Sequence, residues 1–306
     1  MLDALENPPS SNDQFFWTDF AELRALIHPD RCYSSGDLHS LEKRCRDTGD
    51  RKFGAELRWR ELVDFAGIRE QEFGDAYPFH VTEDKDTLEL NFDADNHEQV
   101  TYLTLLLASL MRHVPNTSRG ELARHFEQTC FAVFTKLMPK GSEVRATWAG
   151  GGAEAPYHGS LYEKMKQIAS NLRCTAHFKE RDFKPNDNGD GGIDLISWHP
   201  MADERDGMPV SFAQCGCSKE EWRFKQLEAS PSKHSRHLPM MHLWATYYFM
   251  PLDLRHPDGG WANESDIGAA IIVDRLRLIR LATQYNLHDT LQVLPLLNTV
   301  RRIEYI

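Results

Sequence analysis

The sequence lacks the signals of several common protein classes, and each absence narrows what the chain can do. No apolar stretch reaches the roughly 20 residues of a membrane-spanning helix. No internal repeat of about 20–50 residues is visible, so nothing indicates a solenoid or a propeller. The catalytic signatures GxSxG, HExxH, the Walker phosphate loop and GxGxxG after a strand are also missing.

Cysteine is scarce and scattered, with six residues in a chain of 306 and no CxxC pair. We therefore expect free thiols rather than a disulfide framework. Cys215 and Cys217 lie closest together and would share one face of a strand. No further ligands with zinc-site spacing accompany them, which leaves zinc binding as a minor alternative.

Positive charge is in short supply, since 35 Lys and Arg face 46 Asp and Glu and the net charge is −11. Such a total disfavours nonspecific binding to polyanions, although a local basic patch can override it. Hydrophobic residues make up 41% of the chain, which favours one large or two modest folded domains. The N-terminal stretch MLDALENPPSSND is acidic and has no signal-peptide pattern, so we expect a cytoplasmic protein without membrane contact.

Helical patterns dominate the first third of the chain. They occur in WTDFAELRALI, SSGDLHSLEKRCRD, GAELRWRELVDFAGI and the strongly apolar HEQVTYLTLLLASLMRHV, whereas TLELNF alternates like a strand. Pro115, Asn116 and Ser118 then predict a turn or a boundary. We therefore divide the chain into a mostly helical N-terminal region, residues 1–115, and a second domain, residues 116–306.

The second domain mixes helical and strand patterns. GELARHFEQTCFAVFTKLM and SLYEKMKQIASNLRC predict amphipathic helices, and EVRATWAGGGAEAPYHG predicts a loop. Strands are predicted in TAHFKERDF, in the apolar run after GDGG, in VSFAQCGCS and in HLWATYYFMPL; KEEWRFKQLEA predicts a helix and GAAIIVDRLRLIRL a strand followed by a helix. This order predicts a mixed α/β fold with a central mixed sheet flanked by helices.

One stretch, NDNGDGGIDLISWHP, places a carboxylate, Asp194, at the start of an apolar strand. A hairpin would bring it beside Gln214 in the next strand, with backbones about 5 Å apart. The Cys215 carbonyl and the helical Glu163 could add further oxygen ligands. Such donors suit Mg²⁺ or Mn²⁺, which could polarise a phosphodiester and activate a water molecule.

These residues resemble the PD-(D/E)xK nuclease superfamily, the restriction-endonuclease-like fold, over roughly residues 160–228. The GDGG-hydrophobic-Asp entry is similar to that of the bacterial type IV restriction and phage-defence branches. By position, the resemblance implies that Asp194 is the principal metal ligand, with Gln214 at the second acidic position and Glu163 at the helix position. Glu127, on a helix further upstream, competes with Glu163 for that last role.

The sequence departs from the family at the strand lysine, which is replaced by Gly216. That lysine helps to orient the attacking water and to stabilise the developing charge. Lys219 is the natural replacement and Lys225 the second. The resemblance implies a Mg-dependent endonuclease acting on nucleic acid, most simply DNA, within a bacterial restriction or anti-phage system, with other subunits of that system or a second copy as partners. The alternative is a catalytically inactive subunit for DNA binding or complex assembly.

Other interpretations of the same residues stay open. The loop from Asn186 to Ser197 matches part of a calcium loop, but serine stands where the bidentate glutamate should be. Asp194 could instead be a buried aspartate that backbone amides satisfy. Three short basic runs, HFKERDFK, SKEEWRFK and SPSKHSRH, could contact phosphates or form solvated surface.

Overall fold

The computed structural model describes residues 7–47, 54–148, 156–256, 258–262 and 264–288. The chain forms two compact units, the first from Met1–Phe126, Pro251–Ala262 and Arg275–Ile306, the second from Glu127–Met250 and Asn263–Asp274. The predicted division at 115/116 stays a prediction; the helix that begins at Asn116 continues past residue 126 into the second unit. Among the described residues, no helix is both long and apolar enough to cross a membrane.

The helices of the described residues are α1 (Gln14–Ile27), α2 (Ser35–Asp47), α3 (Ala55–Phe73), α4 (His97–Ser109), α5 (Asn116–Leu137), α6 (Leu161–Asn171), α7 (Trp222–Lys225), α8 (Pro231–His234) and α9 (Arg275–Gln284). The strands are β1 (Cys32–Ser34), β2 (Phe79–Val81), β3 (Thr87–Leu90), β4 (Glu143–Ala146), β5 (Leu195–Trp198), β6 (Val210–Cys215), β7 (Ala245–Phe249) and β8 (Ile271–Val273). The predicted mixed α/β fold is confirmed.

Two of the predicted elements are wrong. EVRATW was expected in a loop but contains β4, which pairs with β5; the glycines that follow it, residues 150–152, lie outside the described residues. TAHFKERDF forms no strand. It is irregular, with a 3-10 turn at Glu180–Asp182 that is closed when the Lys179 amide donates to the Asp182 carboxylate at 2.8 Å. A local side-chain bond thus replaces the strand ladder there.

In the second unit the sheet has the strand order β4-β5-β6-β7-β8, antiparallel across β4, β5 and β6 and parallel across β6, β7 and β8. Its two faces pack against different helices. On one face Ile196 and Phe212 are buried in a cluster with Ile168 of α6. On the other, the Tyr247 ring lies 5.5 Å from that of Phe134 on α5. Because both faces are covered, polar groups reach solvent at the strand ends.

The first unit is held together by a network of buried charges. The Arg69 guanidinium on α3 lies 2.8 Å from Asp19 and 2.8 Å from Glu22, both on α1, and 2.9 Å from Asp253. Arg275, at the start of α9, pairs with Asp19 at 2.9 Å. All five side chains are at most 3% exposed, so each charge depends on its partners rather than on water.

Replacing Arg69 with methionine should lower the free energy of unfolding by about 3–5 kcal/mol, because it leaves buried carboxylates without their counter-charge. Urea unfolding followed by circular dichroism measures the loss. The matched control on the same helix is Arg60→Met, since Arg60 pairs with Glu56 while 67% exposed and should change stability by at most about 0.5 kcal/mol. Equal effects of the two substitutions would contradict this role for the network.

Candidate functional site

Steric constraints explain why two glycines precede Asp194. Gly191 and Gly192 adopt φ values of +71° and +85°, a backbone conformation that side chains disfavour. A Cβ at Gly192 would also lie 2.6 Å from the Cβ of Glu228 and 3.2 Å from the Lys233 ammonium. The GDGG motif therefore lets the loop turn sharply beneath the segment around α8 and enter β5 with Asp194 at its tip.

Asp194 is fixed against β6 through both its backbone and its side chain. Its amide donates to the Ala213 carbonyl at 2.9 Å, and its Oδ2 accepts from the Cys215 amide at 2.6 Å. These partners flank Gln214 on either side. The predicted pairing of the two strands is confirmed, since Leu195 lies opposite Ala213 in an antiparallel register.

The Asp194 carboxyl lies in an acidic and dry setting. It is 5% exposed. Burial is the main cause that raises its pKa well above the ordinary value of 3.8, and the neighbouring Asp190 and Glu127 carboxylates raise it further. The hydrogen bond from the Cys215 amide opposes the shift without cancelling it. Carboxyls gathered in this way favour either a shared proton or a cation.

Two further polar atoms near Asp194 are buried and have no hydrogen-bond partner among the residues that the structure describes. They are Gln214 Oε1 and the Tyr248 hydroxyl, and their residues are 8% and 0% exposed. Gln214 lies opposite Tyr248 in the parallel register of β6 and β7, so both side chains project from the same face of the sheet. A buried carbonyl oxygen without a donor is costly, and a cation or a donor from a ligand would satisfy it.

Tyr248 accounts for the glycine at position 216. A Cβ at Gly216 would lie 2.3 Å from the Tyr248 hydroxyl oxygen and 3.0 Å from its ring carbon Cζ. No side chain fits there without moving the tyrosine. The tyrosine on β7 thus fills the space that a side chain at position 216 would need.

The two candidate helix glutamates have different surroundings. The exposed Glu163 closes a capping box at the start of α6, where its Oε2 accepts from the Ser160 amide at 2.7 Å and the Ser160 hydroxyl bonds the Glu163 amide. Glu127, on α5, is half-buried and acts electrostatically on Asp194 and on the Cys215 thiol. The structure therefore brings Glu127, not Glu163, to the neighbourhood of Asp194.

The lysines of this region have different surroundings from one another. Lys219 is half-buried in the irregular segment after β6. Lys225 pairs with Glu221 at 3.3 Å. Lys233, which belongs to the basic run SPSKHSRH, has its ammonium beside Gly192 and 3.8 Å from the Glu228 carboxylate. It is one of the cations that the structure brings to the loop leading into Asp194.

A lysine also bears on the calcium-loop interpretation. The ammonium of Lys164, a buried residue of α6, donates to the carbonyls of Asn188 at 2.7 Å and Gly189 at 3.0 Å. Two backbone oxygens of the loop thus bind a positive charge supplied from within the chain. The calcium-loop interpretation stays a prediction, with serine at the position of the bidentate glutamate.

The cysteines of the region are free thiols, as predicted. The Cys215 and Cys130 thiols are hydrogen-bonded to each other, and burial raises the pKa of both. Within the described ranges, no three His, Cys, Asp or Glu side chains already stand in an arrangement that could hold a metal ion. A metal site at Asp194 would therefore need the Gln214 amide oxygen or a backbone carbonyl as well.

Sequence reasoning missed Asp190, Glu228 and Tyr248. Asp190 stands inside the GDGG motif, so its proximity to Asp194 was readable from the sequence. The other two come to the site through β6–β7 pairing and the fold of the α7–α8 segment, which no local pattern reveals. Comparison of the chain with protein-family models, curated proteins and solved structures finds no significant match.

Replacing Asp194 with asparagine should stabilise the protein at neutral pH by about 0.5–2 kcal/mol. An unfolded aspartate ionises near pH 3.8 but the folded one at higher pH, so the wild type loses stability as the pH rises through its folded pKa. Asparagine does not ionise, and its carbonyl can still accept from Cys215.

Urea unfolding of both proteins between pH 4 and pH 8, without divalent ions, tests this expectation. The advantage of the Asp194→Asn variant should grow as the pH rises from about 4 and vanish below it. A variant that is less stable than the wild type at every pH would show that the carboxylate is well satisfied and structural.

Proposed function

We propose that the second unit is a metal-dependent nuclease that hydrolyses nucleic-acid phosphodiester bonds. The observation that carries this proposal is the pairing of a buried carboxylate, Asp194, with the unsatisfied amide oxygen of Gln214 on adjacent strands. The Asp194 carboxylate is close to other acids, and the Gln214 oxygen accepts no hydrogen bond from the residues that the structure describes. Such oxygen atoms are the ligands that Mg²⁺ and Mn²⁺ prefer.

In this proposal Asp194, Gln214 and the Cys215 carbonyl hold the metal ion, and Glu127 takes the helix position that was expected for Glu163. The bound ion would polarise a phosphodiester and lower the pKa of a water molecule. Without it, burial raises the pKa of Asp194 and favours the protonated carboxyl, and binding of the ion would release that proton. Lys233, or the originally expected Lys219, supplies positive charge for the phosphate.

The wider setting is also part of the proposal. The resemblance of the GDGG-Ile-Asp entry to type IV restriction and phage-defence nucleases favours DNA as the substrate and a bacterial defence system as the context. The mixed sheet is consistent with the restriction-endonuclease-like fold that the resemblance implies. Other subunits of such a system, or a second copy of this chain, would be the protein partners.

Cleavage of supercoiled plasmid and of single-stranded DNA, with Mg²⁺ or Mn²⁺, tests the activity. Asp194→Asn should reduce the cleavage rate at least about 100-fold, a loss of about 2.7 kcal/mol of transition-state stabilisation. The matched pair Glu127→Gln and Glu163→Gln separates the two helix glutamates. The first should lose at least about tenfold, and the second should stay within about twofold because glutamine still completes a capping box.

Equal cleavage by the wild type and Asp194→Asn would reject the assignment of the site. A loss with Glu163→Gln but not with Glu127→Gln would reject Glu127 and restore the original expectation. Circular dichroism of each variant verifies that it is folded, so that lost activity reflects the site.

A second candidate function is a catalytically inactive subunit that binds DNA or assembles a complex. It is favoured by Gly216 and by the Tyr248 hydroxyl that fills the space above it, since no side chain can extend from this strand position. This candidate predicts DNA binding without cleavage under every metal condition. The same plasmid assay, combined with a binding measurement, distinguishes the two.

A further inference from the structure

A pocket beside the loop that leads to Asp194 combines aromatic and cationic walls. Its volume is about 500 Å³, within the range of sites for small organic groups. The half-buried rings of Tyr162 and Phe183 line it, together with the exposed side chains of Arg181 and Lys184. We propose that this pocket receives an unpaired base of a nucleic-acid strand and that its two cations hold the adjoining phosphates.

The aromatic rings of the pocket wall are held in place by packing against other side chains. The Tyr162 and Phe183 rings lie 6.0 Å apart, and each packs edge-on against Phe178, at 5.9 Å and 5.3 Å. Both rings also pack against the buried cluster between α6 and the sheet. Rings fixed in this way are rigid, as the surfaces on which single-strand binding proteins stack bases must be. The Lys166 ammonium lies over the Tyr162 ring at 5.4 Å and the His237 ring lies 5.5 Å from that of Phe183, so a base stacks on the ring surface that these two neighbours leave uncovered.

The charges on the pocket rim suit a phosphate. Within the described part of the chain, neither the Arg181 nor the Lys184 side chain has a hydrogen-bond or ion-pair partner. Two acids, Glu180 and Asp187, also line the pocket, so the charges of the lining balance. The Asp187 carboxylate accepts from the Gly189 amide at 3.0 Å, and Arg181 and Lys184 are the groups of the lining that can bind a phosphate.

The pocket is connected to the candidate metal site by one short loop. Asp187 forms part of its wall, its carbonyl accepts from the Leu161 amide at 2.7 Å, and seven residues later the chain reaches Asp194. Seven residues span at most about 25 Å. A strand of a few nucleotides can therefore place one base in the pocket and a phosphate at Asp194.

This inference deepens the proposed function and rests on it, because it names the form of the substrate. A paired base in a duplex is stacked and cannot enter a side pocket unless it is displaced. A duplex therefore offers its phosphates to Arg181 and Lys184 but no base to Tyr162 and Phe183. The pocket selects single-stranded or locally opened nucleic acid.

Fluorescence anisotropy with labelled oligothymidylate, oligouridylate and a DNA duplex, each of about 16 units, measures this preference. All titrations contain EDTA, so binding is read without cleavage, and they use the full chain as wild type and as Asp194→Asn. The wild type should bind a single strand at least about tenfold tighter than the duplex. The ratio of the dissociation constants for oligothymidylate and oligouridylate shows whether the pocket prefers DNA or RNA.

Three sets of variants dissect the pocket. Tyr162→Leu and Phe183→Leu should each weaken single-strand binding about five- to tenfold and leave duplex binding unchanged. The exposed pair Arg181→Gln and Lys184→Gln should weaken both and reduce the salt dependence. The matched control is Lys136→Gln with Lys140→Gln, two exposed lysines on and just after α5, which packs on the opposite face of the sheet.

Equal affinity for the single strand and the duplex would overturn the proposed role of the pocket. Leucine variants that are folded by circular dichroism and bind like the wild type would also overturn it. The same conclusion would follow if the control substitutions at Lys136 and Lys140 weakened binding as much as those at Arg181 and Lys184. Because these measurements need no metal and no turnover, pocket binding in a protein that never cleaves would reject only the nuclease proposal. A cleavage rate that is the same in the pocket variants as in the wild type would reject only the proposed role of the pocket.

Discussion

The candidate site depends on one costly arrangement, a carboxylate buried at the end of a strand beside other carboxylates. Asp194 is held by the Cys215 amide, yet burial and the nearby Asp190 and Glu127 still raise its pKa. A fold that needed only a turn at this position would do better with asparagine or serine. Gly191, Gly192 and the packing around α8 all serve to place this acid, which makes a functional origin of the cost the simplest account.

The two units solve the problem of buried charge in opposite ways. In the first, Arg69 and Arg275 neutralise Asp19 and Glu22 at contact distance, so the network supports the fold. In the second, the charged groups of the described residues that act most strongly on Asp194 are the carboxylates of Asp190 and Glu127. The first arrangement supplies its own counter-charges, whereas the second needs a proton or a cation from solution.

Local patterns in the sequence were enough for most helices, for the glycine turn that leads to Asp194 and for the two apolar strands that pair beside it, since turn residues and short apolar runs are short-range signals. They were not enough for the surroundings of the site. Tyr248 reaches Gly216 only through parallel pairing of distant strands. Ser160, three residues before Glu163, forms with it a capping box that is readable from the sequence and gives Glu163 a structural role at the helix start.

The most direct test of the central claim is an anomalous difference map from crystals soaked in Mn²⁺. We expect one peak within coordination distance of both an Asp194 carboxylate oxygen and Gln214 Oε1, and no peak there in crystals of Asp194→Asn. A map of the wild type without a peak beside Asp194, or with a peak that contacts Asp194 but not Gln214, would contradict the claim that these two residues share an ion.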